Sequence, residues 1–399
     1  MESGDIAWML ISTALVLFMV PGLALFYGGM VRSKNVLNML NMNTYCLGIV
    51  PLLWVLFTYS LGNSGDNSGL EKVIGNFDAI GLKGLTGDAE ALIGVAFFMT
   101  FAAITPALIS GAVADRMKFS AWAIFVPVWS ILVYTPVTYW VYTGWHTSLD
   151  PEAIDFAGGT AIHINAGIAS LALVLVLGKR AGWPDQAMPP HNLTFVMLGA
   201  GILWFGWFGF NAGSAGYANG QAVQALLNTF VAAAAGMIAW LAIERLRDGH
   251  ATTLGGASGV VAGLVAITPA AGYVGGLSPI IFGAVASVAC YFAIQLKSKY
   301  GYDDSLDVVG IHMVGGIVGG VLLGFFADAS IGGVDGAFFG DAGLVVSQLI
   351  AIVSVMVFSF VVTYAIAKVM DNVMGIRVSD EEEQTGLDQT QHAETAYVD

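Results

Sequence analysis

Residues 155 to 167 read DFAGGTAIHINAG, and residues 304 to 316 read DSLDVVGIHMVGG. In each stretch an aspartate stands eight positions before a histidine, Asp155 before His163 and Asp304 before His312, and small residues follow at Ala166-Gly167 and Gly315-Gly316. A second pair of segments recurs in the same order, Ala103-Ile104-Thr105-Pro106-Ala107 and Ala266-Ile267-Thr268-Pro269-Ala270. One short match arises easily by chance; two in consistent order argue that the chain contains an internal repeat.

The repeated stretches lie in apolar runs. Of 399 residues, 57% are apolar or aromatic and 11% are charged, against roughly 25% charged in soluble domains, which excludes an ordinary cytosolic enzyme. A helix that crosses a bilayer needs about 20 consecutive apolar residues. Such runs lie near 5–30, 36–61, 88–112, 119–142, 155–178, 192–212, 221–243, 254–272, 277–296, 306–327 and 342–370, eleven in all. The first follows Met-Glu-Ser-Gly-Asp and is too long for a signal-peptide core, so it reads as a retained helix.

The repeats fall in the third and fifth runs and again in the eighth and tenth. Five is an odd number of crossings, so the second copy runs through the membrane upside down, as in the inverted repeats of channels and transporters. The expected fold is an all-α polytopic membrane protein with eleven transmembrane helices. Its repeats span about 5–178 and 192–327, a closing helix covers about 342–370, and a membrane domain of residues 1–372 precedes a cytoplasmic tail, 373–399. Among 51 glycines, Gly255, Gly259 and Gly263 and then Gly316, Gly320 and Gly324 recur every fourth position, which predicts close helix packing between the halves.

The cations give an orientation. Twelve of the 14 lysines and arginines follow helices 1, 3, 5, 7, 9 and 11, and only Lys72 and Lys83 lie on the other side. By the positive-inside rule the N-terminus faces out and the tail faces the cytoplasm. With 28 acidic residues to 14 basic ones, the surface does not suit nucleic acid, whose phosphates call for positive charge. Cys46 and Cys290 stand alone in apolar runs, so neither a disulfide framework nor a thiolate metal site is indicated.

Ionisable groups are nearly absent from the apolar runs, and a buried one is expensive in a membrane, so His163 and His312 are the leading functional candidates. Repeat symmetry puts them at equivalent depths, where two imidazoles in contact would bind or relay a species that gives and takes hydrogen bonds. The same pair also fits a structural link between helices, the two axial ligands of a haem, or a metal site, although no carboxylate or thiol companion supports the last. Phe97 and Phe101 share a helix face, and residues 204 to 214 run WFGWFGFNAGS. Aromatic faces hold cations and close narrow passages. Asp155 suits the N-terminus of the fifth helix as a cap, and equally the shaping of a cation site through the backbone from Ala157 to Gly159.

The segments FAAIT (101–105), DFAGGTAIHINAG (155–167), WFGWFGFNAGSAG (204–216), ITPAAGYV (267–274), DVVGIHMVGG (307–316) and the tail from Gly375 closely resemble the ammonium transporter (Amt/Mep/Rh) family, in particular its bacterial and archaeal Amt branch. The resemblance implies a homotrimer in the cell membrane with one pore per subunit and no enzymatic activity or cofactor. It implies that Phe101 and Phe210 are a stacked gate, His163 and His312 the twin histidines, Asp155 the essential acid, and Ser214 a hydroxyl of the outer ammonium site. Phe97 and Trp207 match vestibule aromatics. The tryptophan of the outer cation site falls on Tyr142, with Trp140 and Trp145 as alternatives. A tail that docks on neighbouring subunits and helps recruit a PII-class regulator is also implied.

A full charge at the bilayer centre costs at least ~2.5 kcal/mol, so the expected mechanism has three steps. Ammonium is captured outside, loses its proton near the phenylalanine gate, and crosses past the histidines as ammonia. The proton either follows through the histidine pair, giving electrogenic transport, or stays behind, giving a gas channel. A bis-histidine haem protein and an ammonium sensor are the readings from other classes; the tail contains no recognisable signalling domain.

Overall fold

The computed structural model describes residues 1 to 397. Among the described residues ten helices are long and apolar enough to cross a membrane: α1 (Ser3–Met30), α2 (Ser33–Asn63), α3 (Ala89–Val113), α4 (Phe119–Ser148), α5 (Gly159–Leu177), α6 (Leu193–Gly213), α7 (Gly220–Arg247), α9 (Ser278–Tyr300), α10 (Val309–Phe326) and α11 (Gly343–Met374). Between α7 and α9 lies the eleventh, α8 (Thr253–Ile267), of 15 residues. At 1.5 Å per residue it is only about 22 Å long, short of the ~30 Å hydrocarbon layer.

The two copies of Ala-Ile-Thr-Pro therefore differ. Pro106 sits inside the continuous α3, whereas the chain unwinds at Thr268-Pro269, so the run expected to be helical to residue 272 ends early. Irregular backbone at membrane depth survives only when protein satisfies its polar groups, and here it does. The Pro269 carbonyl accepts from Phe156 N at 3.1 Å. Asn228 Nδ2 donates to the carbonyls of Ala271 and Val274 at 2.8 and 2.6 Å, and Gln221 Nε2 donates to that of Gly272 at 3.1 Å. Asn228→Leu strands two buried carbonyls, each worth about 1–3 kcal/mol. The variant is expected to melt several degrees lower in detergent; an unchanged melting curve would disprove this account of the break.

The two halves meet along α1 and α6, the first helix of each repeat. A Cβ added at Gly199, Gly209 or Gly213 would lie 2.7 Å from an atom of α1, so these glycines let the backbones touch. The glycines singled out in the sequence pack elsewhere. Gly259 and Gly263 face α7 within their own repeat, at Trp240, Gly236 and Ala233. Gly316 meets Ile164 of the other half, and Gly320 and Gly324 pack on Ile352 and Val345 of α11. Fourfold spacing shows that residues share a face; it does not say which neighbour the face meets.

The loops after α1, α3, α5 and α9 gather at one end around a buried ionic cluster. Arg180 Nε and Nη2 clamp Asp303 at 2.9 and 2.8 Å, Arg32 Nε donates to Asp115 at 3.0 Å, and Arg116 reaches the Asp303 carbonyl at 2.5 Å. Burial pushes the Asp303 carboxyl up, but its hydrogen bonds to Arg180 and the charge of Arg116 win and hold it below the usual range.

The tail docks on this same end of its own chain, as two short helices, α12 (Asp380–Thr385) and α13 (Leu387–His392). Ser379 and Glu382 form a capping box. Glu383, fully buried, accepts from Arg377 Nη2 at 2.7 Å and from Ala181 N at 2.8 Å. Asp388 accepts from Asn38 N at 2.8 Å. Gly386 turns the chain at φ 115°, where a Cβ would meet Lys34 at 2.7 Å. His392 places Nε2 3.0 Å from Asn38 Oδ1, Nδ1 3.4 Å from Asn41 Nδ2, and its ring edge-on to Phe119.

Burial lowers the His392 pKa from its usual 6.5, against the opposing pull of Asp388 and Glu394. A base depressed in the docked state contributes docking free energy above its free pKa and loses it as pH falls below about 6.5. Asp388, raised by burial, loses its contribution over a lower window, from 3.8 upward. Lowering the pH from about 7.5 to 5.5 is therefore expected to loosen the tail through His392. Amide exchange in residues 387–392 should rise, and His392→Gln should remove the pH dependence.

Candidate functional site

Asp155 lies in the turn before α5 and is almost fully buried. Its Oδ1 accepts from Gly158 N at 3.1 Å, and its Oδ2 from Thr160 N and Ala161 N at 2.9 Å each. Gly158 takes φ 106°, a conformation that favours glycine. The carboxylate thus holds the first turn of α5 together, beside the buried Ala157.

The aromatics of this mouth form a chain. The Tyr142 ring lies 5.9 Å from Phe98, and Phe98 lies 5.8 Å from Phe101. Trp140 faces away, donating to the Val73 carbonyl at 2.6 Å and packing on Phe358 and Trp145. Of the three candidates at the end of α4, Tyr142 is the one joined to the phenylalanines, and its hydroxyl is buried without a protein partner. Phe97 packs on Phe101 at 4.8 Å, and Ser214 Oγ donates to the Phe210 carbonyl at 2.8 Å.

Phe101 of α3 and Phe210 of α6 stack with centroids 4.2 Å apart and planes 6° from parallel, both rings buried. Beyond them lies a cavity of about 10 Å³, lined by Leu23, Ile104, Leu108, Ile162, Val261 and other apolar side chains, and by both histidines. This is room for about one water-sized molecule.

His163 and His312 sit on matching π-turns, Gly159–Ile164 and Val309–Met313, which open α5 and α10. In each, the aspartate eight positions earlier caps the turn: Asp304 Oδ2 accepts from Val309 N at 2.7 Å, as Asp155 does from Thr160. Gly167 lets the second histidine's turn approach, since a Cβ there would lie 2.5 Å from Met313 N. The imidazoles lie 14° from parallel with Nδ1 atoms 3.1 Å apart, and His163 Nε2 is buried with no protein partner. A hydrogen bond between two Nδ1 atoms needs one donor and one acceptor, hence opposite tautomers.

That contact bears on the haem and metal readings. Two nitrogens on opposite sides of a metal at about 2 Å each stand ~4 Å apart, more than these do, and the cavity has no room for a porphyrin. Among the described residues no group of three His, Cys, Asp or Glu could hold a metal ion.

Two contacts were not anticipated from the sequence. Phe98, which bridges Tyr142 to the gate, stands three positions before Phe101 and so neighbours it on α3, but the sequence reading gave it no role. Thr268 accepts the Trp207 indole N–H at 2.8 Å; its place in the repeated Ala-Ile-Thr-Pro segment marked it, but gave it no role.

The chain matches the family model described as Ammonium Transporter Family over residues 7–397. It is 48% identical to an ammonium transporter of Mycobacterium tuberculosis, over 99% of this chain and 90% of that protein. It is 49% identical to one of Aquifex aeolicus, over 100% of this chain and 94% of that protein. Its structure superposes on Saccharomyces cerevisiae Mep2 with a TM-score of 0.89 at 33% identity, covering 96% of this chain and 88% of the other.

Proposed function

The chain belongs to the ammonium transporter family, and from that premise we propose that this multi-pass membrane protein carries ammonium across the cell membrane by separating it into ammonia and a proton. The observation that carries the mechanism is the histidine contact behind the closed phenylalanine pair, in a cavity otherwise lined by apolar groups. Tyr142, Phe97, Phe101 and Ser214 receive the cation at the outer mouth, where Asp155 fixes the backbone around Ala157, while Trp207, expected among the vestibule aromatics, lies past the phenylalanine pair against His163. The aromatic faces replace part of its hydration. Its proton leaves near Phe101 and Phe210, because the apolar cavity offers no counter-charge to an ion. Ammonia then passes His163 and His312, and the proton follows through the same pair.

In this reading the N-terminus faces out, the chain works as a homotrimer, and the docked tail is a regulatory element that a PII-class protein engages. The test is solid-supported-membrane electrophysiology on reconstituted protein, paired with an ammonia-flux assay by internal pH dye. Ammonium is expected to evoke both current and flux, and sodium or potassium neither. Flux without current would make the protein a gas channel, and neither signal would refute the transport reading.

A further inference from the structure

Trp207 is the third ring of the histidine stack. Its indole lies 17° from parallel to His163 at 5.4 Å, on the way to the phenylalanine gate, with Phe210 5.6 Å away. Both Trp207 and Thr268 are buried, so neither solvent nor lipid can hold the indole N–H. Thr268 Oγ1 takes it at 2.8 Å while donating its own hydrogen to the Leu264 carbonyl at 2.7 Å. The hydroxyl is thus fixed in both roles, and the indole plane is fixed with it. Thr268 stands where the chain leaves α8, in a segment whose carbonyls are tied down by Asn228 and Gln221. The threonine is itself a rigid support.

We propose that Thr268 is a positioning residue for proton transfer between the histidines: through Trp207 it holds the His163 ring so that Nδ1 stays opposite Nδ1 of His312. Transfer between two nitrogens requires a contact near 3 Å and good alignment. Ammonia needs only space. A loosened indole therefore affects the two cargoes unequally, and the ratio of charge moved to ammonia moved reads the positioning directly. Valine at 268 keeps the shape of the side chain but leaves the indole N–H without an acceptor, which drives the ring to turn.

The inference rests on the relay reading above, and the experiment separates the two. Current and ammonia flux are measured on native protein, Thr268→Val, Thr268→Ser and Trp207→Phe in proteoliposomes, with melting curves for each. Thr268→Val is expected to lose about tenfold in current, the scale on which supporting hydrogen bonds behind functional rings act, with ammonia flux within about twofold. Thr268→Ser, which restores the acceptor, is expected to recover the current. Trp207→Phe, which cannot donate, should lose current as Thr268→Val does. Current and flux falling together in Thr268→Val, or an unchanged ratio, would overturn the positioning role while leaving the relay intact. Native protein that passes ammonia without current would overturn the relay itself.

Discussion

Alanine at either His163 or His312 is expected to cut the ammonium-evoked current by at least about 100-fold, the lower range for removing a positioned acid or base, while ammonia still crosses. Apart from the two histidines the lining of the cavity supplies no titratable group, so nothing replaces the one removed. Ammonia loses only a wall of the passage. Because the two rings work through one contact of 3.1 Å, the double variant should be no worse than either single one, the non-additivity of groups acting as a unit. Currents within about threefold of native in both single variants, read beside the flux assay, would exclude the pair as the route of charge.

Asp155→Ala is expected to have the largest effect on the fold. Three buried N–H groups, of Gly158, Thr160 and Ala161, lose their acceptor at once. At about 1–3 kcal/mol each this approaches the whole stability of a typical domain. The variant should accumulate poorly in membranes and, where recovered, melt far below native and pass no ammonia. Asp155→Asn keeps one oxygen toward the turn and turns an N–H₂ against the other donors, so an intermediate loss is expected. Native melting of Asp155→Ala would remove the aspartate from this structural role.

The histidine neighbourhood was legible because the signal was written twice. The spacing alone paired Asp155 with His163 and Asp304 with His312; that both aspartates cap the histidine turns came from the structure. The packing partners were less legible, since periodicity records a face and not its neighbour. Gly199, Gly206, Gly209 and Gly213 form the seam between halves, at i, i+7, i+10 and i+14 on one face of α6, in a segment read from the sequence for its aromatics. The unwinding after Thr268 was invisible because the same Ala-Ile-Thr-Pro is helical in α3. What decides it is remote: Phe156, Asn228 and Gln221 collect the freed carbonyls. Tyr142 stood beside two rivals in the sequence; the structure turns Trp140 toward Val73 and Phe358 and brings Tyr142 to Phe98. The tail carries the acidic run Asp380-Glu381-Glu382-Glu383, yet Glu383 and Asp388 are buried acceptors, a use of charge that composition does not reveal.

The opposite tautomers demanded by the histidine contact have a kinetic consequence. Only one hydrogen fits between the two Nδ1 atoms, so the pair always points one way, although the fold's two copies are equivalent. Each proton handed along leaves the pair pointing the other way. Before the proposed relay can pass the next in the same direction, that polarity must be reset by a change of tautomer in both rings, which turning a ring about Cβ–Cγ cannot bring about because it does not exchange Nδ1 with Nε2. In the proposed relay that change of tautomer is a step of every cycle, separate from the arrival of substrate.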